Sequence, residues 1–170
     1  MRRFLIVFAA VANLVLVDAV AKEIAAVQLK GRAAVSVIPG LFSLAYVENR
    51  GCAWGMLQGQ VWPLAVFGIA ALAVIVWRRR DIFGAPDGSP RIAAVLGAVA
   101  EPLVYAGIIG NLIDRVFRGY VVDMLDFHWG ASHFPCFNFA DTCICVGAGM
   151  IVLASLLTPR RRKEEKEAAL

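Results

Sequence analysis

Apolar residues gather into four long runs, and polar residues fall between them. The runs cover about 4–21, 61–77, 92–113 and 142–157. Crossing a bilayer as a helix takes roughly 20 apolar residues. None of the runs alternates with the period of two that a barrel strand requires, so each reads as a helix. The pattern predicts an all-α integral membrane protein with four transmembrane helices, in a single membrane domain over 1–170. The segment 81–90 is rich in Gly, Pro and Asp and reads as a short turn. Pro159 helps to end the fourth helix, and 160–170 reads as a charged tail. The segment 23–60 is too long for a bare turn. Within it Phe42, Leu44 and Tyr46 would share one face of a strand between Gly40 and Gly51, which predicts a small outward-facing β element with loops.

Composition agrees with that pattern. The chain is 60% hydrophobic with a mean hydropathy of +0.71, far above an ordinary water-soluble domain. The net charge of +4 is unevenly placed. Eleven of the 17 Lys and Arg residues flank one side of the runs (Arg2, Arg3, Arg78, Arg79, Arg80, Arg91, Arg160, Arg161, Arg162, Lys163, Lys166). Six flank the other (Lys22, Lys30, Arg32, Arg50, Arg115, Arg118). The positive-inside rule then puts both termini in the cytoplasm and 23–60 and 114–141 outside. Basic residues at the ends of apolar runs are topology signals, so nucleic acid is not an expected partner; membrane lipids are. Met1-Arg2-Arg3, the first run and Ala19-Val20-Ala21 together have the shape of a secretory leader. Asp18 argues instead for an uncleaved anchor.

The polar residues beside the runs carry the chemistry. Asp18 and Lys22 stand one helical turn apart and read as a structural pair, with Lys22 snorkelling outward. Asn49, Gly51 and Gly55 form a polar turn that allows close backbone approach. Asn111 and Asp114 share a face if the third helix continues. Asp114 and Arg115 read as an ion pair capping that helix, or as support for a nearby carboxylate. Asp123 lies among Val121, Val122, Met124 and Leu125 with no basic neighbour in sequence, so its pKa should be raised. Asp141 is either the N-cap of the fourth helix or a partner for Asp123. Two such acids can hold one proton between them and activate a water. Glu101-Pro102 places an acid and a helix-disturbing proline inside the third run, with no role selected. Cys52 and Cys136 both lie on the outer side, and no Cys-x-x-Cys supports redox chemistry.

Taken together, five motifs resemble the prolipoprotein signal peptidases of bacteria, also called signal peptidase II. They are Asp18-x-x-x-Lys22, Asn49-x-Gly51-x-Ala53-x-Gly55, Gly110-Asn111-x-Ile113-Asp114-Arg115, Val122-Asp123 and Phe137-Asn138-x-Ala140-Asp141. They occur in that family's order and spacing over nearly the whole chain. The resemblance implies a membrane-embedded aspartic endopeptidase of the bacterial inner membrane, working near the outer leaflet without metal or cofactor, as a monomer. Its substrates would be diacylglyceryl-modified prolipoproteins, cut just before the lipidated cysteine. Asp123 and Asp141 match the catalytic pair. Asn49, Gly51, Asn111, Asp114, Arg115, Asn138 and Ala140 match positions that bind substrate or support the site. Cys52, Trp54 and Glu101-Pro102 depart from the family's usual residues. A membrane scaffold or transport subunit, and a metal- or quinone-linked redox protein, are the rival readings.

Overall fold

The computed structural model describes residues 2–52, 56–130 and 132–158. The Ala53, Trp54 and Gly55 positions of the second motif, Pro159 and the tail 160–170 lie outside the described residues. In chain order the elements are α1 (Arg2–Leu29), β1 (Val35–Ile38), β2 (Phe42–Asn49), α2 (Val61–Trp77), α3 (Arg79–Phe83), α4 (Arg91–Phe117), β3 (Val121–Trp129), β4 (Ser132–His133) and α5 (Phe139–Leu157). The protein is mostly helical, with a small antiparallel sheet.

Three helices, α1, α4 and α5, are long and apolar enough to cross a bilayer. The fourth apolar run forms α2, which has 17 residues. At 1.5 Å per residue it reaches about 26 Å, just under the ~30 Å hydrocarbon thickness. α4 is the hub of the bundle, packed on α5, α1 and α2. Two glycines let its neighbours come close. A Cβ on Gly107 would strike the Ala140 carbonyl, and one on Gly110 would lie 2.6 Å from Asp18 Oδ2. These approaches bring three polar helix ends to one level. Pro102 sits inside α4, and the helix runs on through it.

α1 continues eight residues past the expected end at 21, to Leu29. Lys22 and Glu23 do not stop it, because Ala21, Ala25 and Leu29 recur at a spacing of four and form an apolar stripe. That stripe packs on Val122 and Met124 of β3, with Leu44, Tyr46 and Tyr120 around them. α4 likewise passes the expected end at 113 and carries Asp114 and Arg115 in its last turn.

The sheet has the order β1-β2-β3-β4. β2 covers the segment expected to be a strand, and β3 is an addition. No strand is expected in 114–141 from the sequence pattern, yet Val121–Trp129 pairs antiparallel with β2. Val121, Val122, Asp123 and Met124 are all buried. A strand covered on both faces shows no alternation, so its signal was absent.

Candidate active site

Asp123 stands on β3 opposite Val47 of β2. Asn49 is two residues further along β2 and so shares the face of Val47. A bulge between Leu44 and Val47 shifts the register just before this point, and bulges re-aim side chains in this way. Asn49 Nδ2 donates to Asp123 Oδ2 at 3.0 Å, and Asn49 Oδ1 accepts from the Gly51 amide at 2.9 Å.

Asp141 arrives from α5. The sequence reading allowed it to be the N-cap, but the cap is Asn138, with extended backbone. Asp141 is the third residue of the helix. Its amide donates to Asn138 Oδ1 at 2.9 Å, and its Oδ2 accepts from the Asn138 amide at 3.2 Å. This capping box holds both side chains still.

Asn138 and Asn111 then join the two acids. Asn138 Nδ2 donates to Asp123 Oδ1 at 2.7 Å and to Asn111 Oδ1 at 3.1 Å. Asn111 Nδ2 donates to Asp141 Oδ1 at 2.7 Å. Asn138 is fully buried, and its amide uses both donor hydrogens and its acceptor, as a buried amide must. All four carboxylate oxygens of the pair accept from neutral N–H groups. Among the described residues, no cation pairs with either acid.

Burial, first, and the charge of Asp141, second, push the pKa of Asp123 up to about 7, against the Asn49 and Asn138 donations and the Lys22 charge. Asp123 is only 2% exposed, so its charged form has lost most of its water. Asp141 is half-buried and sits in the first turn of α5, where the helix dipole favours negative charge.

A second network lies behind the first. Lys22 does not snorkel: it is 1% exposed. Its Nζ lies 2.8 Å from Asp18 and 3.0 Å from Asp114, and donates to Asn111 Oδ1 at 3.1 Å. Asp18 Oδ1 also accepts from the Ala140 amide at 2.9 Å, so α1 caps an orphan N–H of α5. Asp114 pairs with Lys22 and with Arg118 (2.9 Å), and accepts from the Val122 amide. It does not pair with Arg115, as the sequence suggested. One residue apart on a helix, two side chains point about 100° from each other. Arg115 instead donates to the carbonyls of Asn111 (3.3 Å) and Gly51 (3.2 Å), tying the turn after β2 to α4. A Cβ on Gly51 would collide with the Met56 carbonyl.

The structure thus gathers Asp18, Lys22, Asn49, Gly51, Asn111, Asp114, Arg115, Asp123, Asn138, Ala140 and Asp141 into two joined networks. Sequence reasoning missed Arg118, although its i, i+4 spacing from Asp114 was visible. It also missed the cavity walls. Asp123 and Asn49 open onto a cavity of about 550 Å³, lined further by Val47, Cys52, Gln58, His133, Phe134 and Cys136. Burial and the nearby Asp123 charge push the Cys136 thiol up to about 12, which keeps it protonated. Cys52 donates through Sγ to the Met56 carbonyl at 3.4 Å.

The same chain matches known proteins over most of its length. The sequence pattern of the family described as "Signal peptidase (SPase) II" matches residues 10–157. A lipoprotein signal peptidase of Syntrophotalea carbinolica is 43% identical over 143 residues, 82% of this chain and 84% of that protein. One from Symbiobacterium thermophilum is 40% identical, over 86% of this chain and 91% of its own. A solved structure described as a bacterial membrane enzyme superposes with a TM-score of 0.74 at 32% identity, covering 93% of this chain and 92% of its own. Fold, sequence and the paired carboxylates lead to one place: this chain belongs to the signal peptidase II family.

Proposed function

We propose that the protein is an aspartic endopeptidase that removes the signal peptide of diacylglyceryl-modified prolipoproteins, cutting just before the lipidated cysteine. The observation that carries this is the closed amide bridge Asp123–Asn138–Asn111–Asp141. It holds two acids close without a neutralising cation. Such a pair keeps one proton between pH extremes, because double ionisation is costly.

The proton resides on Asp123, whose pKa is about 7. Asp141, at the α5 N-terminus, acts as the base. Asp141 takes a proton from a water as its oxygen attacks the scissile carbonyl. Asp123 donates its proton to the carbonyl oxygen, giving a neutral tetrahedral diol. On collapse, Asp123 takes back a hydroxyl proton and Asp141 gives its proton to the departing amine. The starting protonation state is restored. The cavity beside Asp123 takes the extended peptide, with the β2 edge and the Asn49 turn as its wall.

In the bilayer, α2 serves as a fourth, short span, and both termini face the cytoplasm. The site then lies near the outer leaflet of the inner membrane. A substrate held by two acyl chains reaches it at fixed depth, which turns binding into positioning. The enzyme works as a monomer.

The test uses purified protein in detergent with a synthetic lipid-modified prolipoprotein. Cleavage before the lipidated cysteine is expected, unchanged by a chelator and lost in Asp123→Asn. No cleavage by folded wild-type protein would reduce the family membership to shared ancestry.

A further inference from the structure

At the other end of the bundle, far from the aspartates, an acid is buried with too many arginines around it. Arg3 and Asp18 both lie on α1, fifteen residues apart, so this end is about 22 Å from the Asp18 network. Glu101 is 1% exposed. Its Oε2 accepts from Arg3 at 3.1 Å, and its Oε1 accepts from Arg79 at 3.0 Å. Both carboxylate oxygens are occupied. Yet the guanidiniums of Arg3 and Arg79 remain 62% and 39% exposed, and each keeps N–H donors that Glu101 does not use. Arg80 is exposed beside them, and among the described residues no carboxylate pairs with it. Three cations against one anion leave a local charge of +2.

The three arginines line a cavity of about 310 Å³ with Phe4 and Gly84. Its depth in the membrane can be read from its neighbours. Trp77, 76% exposed, ends α2 under the Arg78 guanidinium at 4.9 Å, an arrangement suited to the headgroup layer. Phe4, 63% exposed, begins the apolar surface of α1. The cavity therefore has cationic donors at headgroup level and an aromatic rim at acyl level. Glu101 anchors two of the arginines so that their free N–H groups stay in place, a preorganised phosphate fork.

We propose that this cavity is a binding site for an anionic phospholipid, whose phosphate is held by Arg3, Arg79 and Arg80 while an acyl chain lies along Phe4. The lipid ties α1, α3 and α4 together at the end where α3 has only five residues. The proposal does not depend on the catalytic reading.

The experiment places the full chain in nanodiscs of phosphatidylethanolamine, with and without phosphatidylglycerol. Native mass spectrometry counts retained lipid, and thermal unfolding gives Tm. The wild type should retain phosphatidylglycerol over phosphatidylethanolamine and unfold several degrees higher with it. Arg80→Gln, which leaves the Glu101 pairs intact, should weaken retention about fivefold, the effect of roughly 1 kcal/mol per arginine. Arg91→Gln, of equal charge but absent from the cavity wall, should retain lipid as the wild type does. Equal loss in Arg91→Gln, or no preference between the two lipids, would overturn the site. Equal stabilisation by inorganic phosphate in phosphatidylethanolamine discs would overturn the lipid as its occupant.

Discussion

Two acid pairs lie side by side in this protein and are treated in opposite ways. Asp18 and Asp114 share a cation, Lys22, which sits within 3.0 Å of both. Asp123 and Asp141 share only neutral amides, through Asn138 and Asn111. A buried carboxylate next to a cation keeps its charge. Burial first, and the Asp141 charge second, put Asp123 at about 7, against the pull of its amide donors. The first pair ties α1 to α4 through that shared cation. The second depends on the first for its placement: Lys22 donates to Asn111, and Asp18 accepts from the Ala140 amide at the start of α5.

The largest effect should come from Asp141→Asn. Asparagine can still accept from the Asn138 amide, so the capping box survives while the base is lost. Turnover of the lipid-modified substrate should fall by a thousandfold or so, in the range of general acid–base catalysis, with Tm nearly unchanged. Near-normal turnover would leave Asp141 as a helix cap alone.

Lys22→Met should break the other pair. It leaves the buried Asp18 without its cation and Asp114 with Arg118 alone, a loss of about 3–5 kcal/mol. The protein should unfold at markedly lower temperature in detergent. Its activity should track the folded fraction. If Lys22→Met stays as stable as wild type, the two pairs are not divided by role.

Proton linkage separates the pairs further. Below the ordinary carboxylate range Asp123 is protonated whether folded or not. Between about 4 and 7 the folded protein binds a proton at Asp123 that the unfolded chain has released. Stability should therefore fall as pH rises through that window, by roughly 3–5 kcal/mol in all. Activity should decline above about 7, as the shared proton is lost. In Asp123→Asn the stability slope over the same window should disappear. A slope unchanged in that variant would place the titrating group elsewhere.

The smallest effect belongs to Asp18→Asn. Its side-chain oxygen can still accept from the Ala140 amide, and Lys22 keeps Asp114. A loss near 1 kcal/mol, the scale of one helix cap, should appear as a modest drop in Tm with most activity kept.

Much of this was legible in the residues. Three of the four apolar runs lie in helices long and apolar enough to cross a bilayer, the form that suits lipid, since lipid tolerates no unpaired backbone. Asp123, set among Val121, Val122 and Met124, signalled a perturbed acid directly. The limits are just as specific. Asp114-Arg115 looked like a pair from adjacency, yet adjacency on a helix separates side chains. The first half of β3 gave no alternation because Val121–Met124 are covered on both faces. The Glu101–Arg3–Arg79 cluster could not be found, because Glu101 meets Arg3 across 98 positions of sequence.

Composition and spacing, then, determined the membrane class and the family, because hydrophobicity and local spacing are properties of the chain itself. Which acid meets a cation and which meets an amide was left to the packing of α1, α4, α5 and β3. Gly107 and Gly110 allow that approach, and only the approach decides whether a buried carboxylate keeps its charge or holds a proton.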